Sequence, residues 1–237
     1  MGNLEKQLNI LGLSILLIFS VYVIGGVLLR LVVDGLQTSG LNVMNSPALL
    51  LGVKTVVLQG ITFSGITLFY IKFSEKDWNF IRVQYPTLRD VGVASIGFFL
   101  LISAMYTIRA FTSFFDIQIA QNSAIELGKE DPIGFLVLIP LSFLLIGPGE
   151  ELLNRGLIQG LLSEEFHPVR AILLTSALFA VTHISSLNGS GKIVYLITVF
   201  VLSLILGATY EYTDNLIVPA LIHGSYDALI FVSWYLR

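Results

Sequence analysis

The sequence contains no cysteine and few charged residues. Of its 237 residues none is cysteine and 12% are charged, whereas an ordinary soluble domain has about 25% charged residues. The absence of cysteine excludes disulfides and thiolate ligands, so any metal would have to be bound by histidine and carboxylate. The scarcity of charge excludes an ordinary soluble domain. Because no cluster of basic residues is present, we expect no nucleic-acid partner.

Long apolar segments occupy most of the chain instead. Hydrophobic residues make up 55% of the sequence, and the mean hydropathy is +0.84. Seven apolar blocks are each about 17 residues or longer, enough to cross a bilayer as a helix: residues 8–33, 47–72, 91–111, 133–163, 169–187, 193–210 and 215–236. Segments of this length exclude a transmembrane β-barrel, whose strands are about 10 residues long. The sequence therefore predicts an all-α, polytopic transmembrane helical bundle with about seven spans, give or take one.

The connections between the blocks predict one domain and an orientation. No repeat or long linker divides residues 1–237, so we expect a single integral-membrane domain. Residues 72–90 carry basic and aromatic side chains, which predicts an interfacial loop on the cytoplasmic side. The polar residues 112–132 predict a short amphipathic helix or a flap over an entrance. We expect the protein to reside in a prokaryotic cytoplasmic membrane, in contact with its lipids.

Ionisable residues interrupt the fourth apolar block. Each charged side chain at the centre of a membrane helix costs about 3 kcal/mol, which makes an intramembrane charge a functional-site hypothesis. Glu151 and Arg155 are spaced i and i+4 with the acid first, the favourable order for an ion pair. Glu150 lies about 100° away around the helix and is left free, with Asn154 one turn on as a hydrogen-bond support. The run Gly147-Pro148-Gly149 predicts a local break in the helix, and if Pro148 begins a new helical segment, Glu150 lies in its first turn.

Two of the three histidines also lie in apolar sequence, at His183 and His223. The midpoint of positions 150 and 183 falls in the polar turn at residues 163–168. An antiparallel hairpin closed at that turn would bring Glu150 and His183 to nearly the same depth. Asp227 lies one helical turn after His223 on the same face.

This set of side chains favours hydrolysis, with two open alternatives. Glu150 could take a proton from water with the help of His183, while His223 and Asp227 hold a developing oxyanion. Glu150, His183 and His223 could equally be the ligands of a zinc ion, as in metalloproteases. An ion or proton carrier could use the same residues as a relay.

These motifs together resemble those of the CPBP family of intramembrane proteases, which includes CAAX prenyl endopeptidases and bacteriocin-processing or immunity proteins. Three family motifs are Glu-Glu-x-x-x-Arg, Phe-x-x-x-His and a His followed four residues later by Asn or Asp. They are matched in this order by Glu150, Glu151 and Arg155, by Phe179 and His183, and by His223 and Asp227. The resemblance covers roughly residues 133–236, the family-like catalytic core.

The resemblance implies an intramembrane endopeptidase of the glutamate type. The first Glu and the His of the second motif would activate water, and the last His and its polar partner would form the oxyanion hole. These roles pass to Glu150, His183, His223 and Asp227. Glu151, Arg155, Asn154 and Phe179 are the expected supporting residues. Asp227 would donate only if protonated and would otherwise orient His223.

The resemblance also gives expectations for cofactor and partners. We expect no cofactor, with zinc bound by Glu150, His183 and His223 as the alternative. The expected substrate is a hydrophobic or lipidated peptide or protein. The alternative function is a catalytically silent scaffold or bacteriocin-immunity protein bound to another membrane protein, but the presence of the Glu and both His residues favours the enzyme.

Other polar and small residues have simpler interpretations. His167 lies beside Pro168 in a polar turn, which predicts a solvated loop residue. A pair of glycines spaced four apart predicts close helix packing: Gly156 and Gly160. Lys54 and Gln59 in the second block are expected to snorkel or to face the bundle rather than to bind substrate.

Overall fold

The helical bundle is described by a computed structural model over residues 2–237. Within these residues the chain forms eight helices: α1 (Asn3–Thr38), α2 (Pro47–Phe73), α3 (Leu88–Phe114), α4 (Ser123–Glu130), α5 (Ile133–Ser163), α6 (Pro168–Ser186), α7 (Lys192–Thr213) and α8 (Ile217–Tyr235). All except α4 are long and apolar enough to cross a membrane. The predicted all-α fold with seven spans is confirmed. The first span is longer than its apolar block, because the helix continues into polar residues at both ends.

Short elements connect the spans. Single 3₁₀ turns occur at Val43–Asn45 and Trp78–Ile81, and the last four residues of α6 are also 3₁₀. Two short strands, β1 (Gln121–Asn122) and β2 (Leu187–Asn188), pair antiparallel. The side chain of Asn122 accepts a hydrogen bond from the backbone of Ala124 at 2.8 Å and so caps α4, as expected for an N-cap asparagine. The predicted short helix in residues 112–132 is therefore confirmed.

Helix α5 is the centre of the bundle. Of its most apolar stretch 44% of the residues are buried, compared with 17% for α1 and α3. Glycines let its neighbours approach at backbone distance: a Cβ added to Gly149 would lie 2.3 Å from the carbonyl of Gln59 in α2, and one added to Gly147 would lie 2.6 Å from the carbonyl of Ala220 in α8. Only glycine fits such contacts. These two contacts hold α2 and α8 in close contact with α5.

Helix α5 continues through the predicted break at residues 147–149. Gly147 has φ −55° and ψ −56°, so the chain stays helical there and Glu150 is not at a helix N-terminus. A π-helical turn at Ser142–Ile146 precedes the proline and a second follows at Leu152–Gln159. A wider turn accommodates the missing N–H and the ring of Pro148, which would clash in a regular α-helix. The two π turns bracket the Glu-Glu pair.

The predicted close packing at Gly156 and Gly160 is present, but the partner is a loop. A Cβ on Gly160 would lie 2.8 Å from the ring of Phe80, and one on Gly156 would lie 3.1 Å from Ile81. The 3₁₀ turn Trp78–Ile81 therefore packs into the groove of α5. Ile81 is buried there, while His167 is exposed as predicted.

Candidate active site

The four predicted catalytic residues border one cavity inside the bundle. Its volume is about 660 Å³, and its walls come from all seven spanning helices together with residues 119–125. Glu150, His183, His223 and Asp227 all line it. The structure thus brings together side chains that are up to 77 positions apart in sequence, on three separate helices. Their catalytic role stays a prediction.

Glu150 is almost enclosed, with 9% of the residue exposed. Its Oε1 accepts a hydrogen bond from Gln59 Nε2 at 3.2 Å. Its Oε2 lies 3.9 Å from His223 Nε2. Asn154 was expected to be a hydrogen-bond support one turn after Glu150, and its Nδ2 donates to the backbone carbonyl of Glu150 at 2.7 Å. An i+4 side chain returns easily to the helix backbone, so this contact holds the backbone of Glu150 and not its carboxylate.

Glu151 is fully buried in a network with Arg155 and His223. Arg155 Nε donates to Glu151 Oε2 at 2.9 Å, which confirms the predicted ion pair. Arg155 Nη2 also donates to Ser203 Oγ in α7 at 2.8 Å. The second oxygen, Oε1, lies 2.8 Å from His223 Nδ1. Charge-assisted bonds of this kind are strong in a dry environment, so the network ties α5 to α7 and α8.

His223 is held between carboxylates. Its Nδ1 is engaged by Glu151, and its Nε2 lies 3.5 Å from Asp227 Oδ2 on the same helix. When a carboxylate fixes one nitrogen of an imidazole, the other nitrogen of the ring points in a defined direction. Here that nitrogen is Nε2, which points towards the cavity acids. Asp227 therefore contacts the histidine that it was expected to orient.

His183 lies at the end of the α-helical part of α6. Its Nδ1 is 2.9 Å from the carbonyl oxygen of Phe179. A carbonyl only accepts, so Nδ1 carries the hydrogen and Nε2 of the neutral ring is left as an acceptor. Phe179 packs edge-on against His183 at 4.8 Å and against His223 at 6.2 Å between ring centroids. The predicted supporting role of Phe179 thus corresponds to packing behind both imidazoles.

Residues 119–125 cover one side of the cavity. Asn122 Nδ2 donates to Tyr195 Oη at 3.3 Å and to Ser186 Oγ at 3.4 Å. The pairing of β1 with β2 attaches the same segment to the end of α6, next to His183. The alternative of a flap over an entrance is consistent with this position.

The two polar residues of α2 that the sequence singled out are among those that line the cavity. Lys54 and Gln59 face the bundle, one of the two expected placements, and both line the cavity. Reasoning from the sequence missed the contact of Gln59 with Glu150. The only signal was the presence of polar residues five apart in an apolar block, since no motif marks this helix.

The zinc alternative finds no ligand set in the structure. Among the His, Asp and Glu side chains of residues 2–237, no group of three or more is arranged to hold a metal ion. The side chains as placed do not fit a zinc ion, and we derive no step through one.

Comparison with known proteins agrees with the geometry. Residues 132–229 match the family described as type II CAAX prenyl endopeptidase, Rce1-like. This part of the chain includes α5, α6, α7 and most of α8, and with them the four cavity residues of the three motifs. No curated protein and no solved structure matches the chain. The resemblance to the CAAX protease family is thereby confirmed for residues 132–229.

Proposed function

We propose that this integral membrane protein, whose residues 132–229 match the Rce1-like CAAX endopeptidase family, hydrolyses peptide bonds with a water molecule activated by Glu150. The observation that carries the proposal is the shared cavity. Glu150 is an enclosed carboxylate whose free oxygen lies 3.9 Å from His223 Nε2, and the imidazole of His183 lines the same cavity. These are the groups that general acid–base hydrolysis needs.

Glu150 would act as general base and then as general acid. Its Oε2 takes a proton from water as the water oxygen forms a bond to the carbonyl carbon of the substrate. The tetrahedral intermediate then collapses, the C–N bond breaks, and the same proton passes to the leaving amine. The products are one carboxylic acid and one amine. His183 Nε2, as an acceptor, would hold the second hydrogen of the water.

His223 would stabilise the oxyanion. In the protonated imidazole both ring nitrogens carry a hydrogen, so that Glu151 accepts the one on Nδ1 at 2.8 Å and the one on Nε2 can be donated to the oxygen of the tetrahedral intermediate. A preorganised donor in a dry site is worth more than the same donor in water. Asp227, 3.5 Å from Nε2, would be a positioning residue that keeps the ring aligned in the absence of substrate.

The surroundings of the cavity support a hydrophobic or lipidated peptide as substrate. Its walls combine the polar cluster with apolar side chains of α5 and α8, including Leu138, Ile146 and Phe231. Because the cavity lies among helices of membrane-spanning length, a substrate that partitions into the bilayer would be concentrated next to it. We further propose that the host membrane is the cytoplasmic membrane of a prokaryote.

Cleavage by the purified protein in lipid nanodiscs tests the proposal. A library of membrane-associated peptides, with and without C-terminal prenylation, is incubated with wild type, Glu150→Gln and Glu75→Gln. Glu75 is an exposed loop residue, so its variant makes the same chemical change away from the cavity. We expect cleavage by wild type and Glu75→Gln and none by Glu150→Gln.

A chelator separates the glutamate mechanism from a zinc mechanism. Activity that survives removal of divalent metal supports the water activated by Glu150 alone. Activity that is lost and then restored by zinc contradicts the metal-free mechanism. A folded wild type that cleaves no peptide contradicts the endopeptidase and favours the silent scaffold.

A further inference from the structure

We propose that Gln59 of α2 is a positioning residue of this active site. It holds the Glu150 carboxylate through one oxygen and leaves the other oxygen to take the proton of water. This inference rests on the proposed function. It adds to the site a residue that lies outside residues 132–229, the region that matches the endopeptidase family.

The first observation is the asymmetry of the Glu150 carboxylate. Gln59 Nε2 donates to Oε1 at 3.2 Å. Within residues 2–237 no donor bonds to Oε2, which lies 3.9 Å from His223 Nε2. A carboxylate fixed at one oxygen cannot rotate freely about its last bond. The hydrogen bond from Gln59 therefore determines which oxygen is presented to the histidines.

The second observation is that the backbone fixes the origin of the Gln59 side chain. The carbonyl of Gln59 touches Gly149, where an added Cβ would lie only 2.3 Å away. Residues Val56–Phe63 form a π-helical stretch of α2, and Ser64 Oγ donates to the Gln59 carbonyl at 3.3 Å. Such local π turns are frequent at functional sites, because they redirect a side chain within a helix. The backbone of Gln59 in α2 is thus held against Gly149, the residue that precedes Glu150 in α5.

The third observation is that the amide of Gln59 makes only this bond. Its Oε1 is buried and has no hydrogen-bond partner among the described residues. A buried acceptor without a partner destabilises a fold relative to an apolar side chain of the same shape. Leucine would fill this place without that loss. The contribution of the amide is therefore its bond to Glu150.

A second buried glutamine provides a matched control. Gln159 Nε2 donates to the backbone carbonyl of Gly207 at 3.1 Å, and its Oε1 is also buried without a partner. Gln159 is a fully buried residue of α5 that faces α7, and it is not among the residues that line the cavity. The two glutamines therefore make hydrogen bonds of similar length, one to a carboxylate in the cavity and one to a backbone carbonyl outside it.

Steady-state kinetics of variants at these two glutamines tests the proposal. Wild type, Gln59→Leu, Gln59→Asn and Gln159→Leu are compared in nanodiscs, with rates expressed per folded molecule. We expect Gln59→Leu to lower kcat about 100-fold, the order expected for a misplaced catalytic group, with little change in KM. Gln59→Asn should behave alike, because its amide is one methylene too short to reach Glu150. Gln159→Leu should leave kcat unchanged, because its amide bonds to the backbone of Gly207 and not to Glu150.

The proposal is overturned if Gln59→Leu retains the wild-type kcat, or if it raises KM alone. A double-mutant cycle of melting temperatures for Gln59→Leu and Glu150→Leu tests the bond without reference to activity. We expect the shift of the double variant to be smaller than the sum of the single shifts, and additive shifts would overturn the proposal. If the wild type cleaves nothing while the cycle shows coupling, the proposed function fails although the bond is real.

Discussion

Two faces of α5 carry the same type of side chain, Glu150 on one and Glu151 on the other, in different surroundings. Glu151 faces a sealed region, with both oxygens paired to Arg155 and His223 and no exposed surface. Glu150 faces the cavity, with one oxygen bonded to Gln59 and the other free. A helical rotation of about 100° separates the carboxylate in the sealed network from the one to which we assign the activation of water.

The comparison shows how the sealed face serves the open one. His223 contacts Glu151 with one nitrogen and faces Glu150 and Asp227 with the other. The ion pair of Glu151 with Arg155 is therefore the support of the histidine that we assign to the oxyanion. Rigid support of this kind is what keeps catalytic groups in a productive geometry. Variants on the two faces should separate loss of activity from loss of stability.

The largest effect is expected at Glu150. Glu150→Gln keeps the shape of the side chain and can still accept the hydrogen bond from Gln59, but the amide cannot take a proton from water. We expect kcat to fall about 10⁴-fold, the upper range for general base catalysis, while the melting temperature stays near that of the wild type. Peptide cleavage and thermal unfolding of the same sample measure both. Full activity in this variant would remove the distinction between the two faces.

The next effect is expected on the sealed face, at Arg155. Arg155→Met removes one partner of a buried ion pair and leaves Glu151 Oε2 without its charged partner, and breaking such a pair typically costs about 3–5 kcal/mol of stability. We expect a large drop in melting temperature. Arg170→Met is the control, because Arg170 is exposed at the start of α6. An unchanged melting temperature for Arg155→Met would show that the network does not support the bundle.

His183 should give a smaller effect on activity. His183→Asn removes the acceptor nitrogen on the cavity side, and we expect kcat to fall about 100-fold, the lower range for a proton-transfer partner. The change should appear in kcat more than in melting temperature. His167→Asn alters an exposed loop histidine and should leave cleavage unaffected. Equal losses in both variants would argue against a role for His183 at the water.

Asp227 is expected to give the smallest effect. Asp227→Asn keeps an oxygen that can accept from His223 and adds an amide donor, so kcat should change by less than about ten-fold. Asp227→Leu, which offers neither, should be lower than Asp227→Asn. Asp34→Asn, in an exposed pair with Arg30, controls for the change of charge. Complete loss in Asp227→Asn would show that the carboxylate itself takes part in the reaction.

The sequence predicted those features that depend on one helix at a time. The seven spans follow from apolar length, and the Glu151–Arg155 pair follows from i, i+4 spacing. Contacts between helices could not be predicted, because they depend on how each helix is rotated. The bonds of Gln59 to Glu150 and of Glu151 to His223 are of this kind.

The course of α5 through Pro148 illustrates a second limit. A proline between two glycines predicts a break, yet a π turn absorbs it and the helix continues. Packing of Gly147 and Gly149 against α8 and α2 holds this geometry. Such tertiary support is not visible in a local pattern.

Cleavage and melting temperature measured together for Glu150→Gln and Glu151→Gln test the account most directly. It predicts that Glu150→Gln is inactive and melts like the wild type. Glu151→Gln should melt at a clearly lower temperature, because the buried Arg155 loses its charged partner. Wild-type cleavage by Glu150→Gln, in a sample that is folded, would contradict the assignment of Glu150 as the base that activates water.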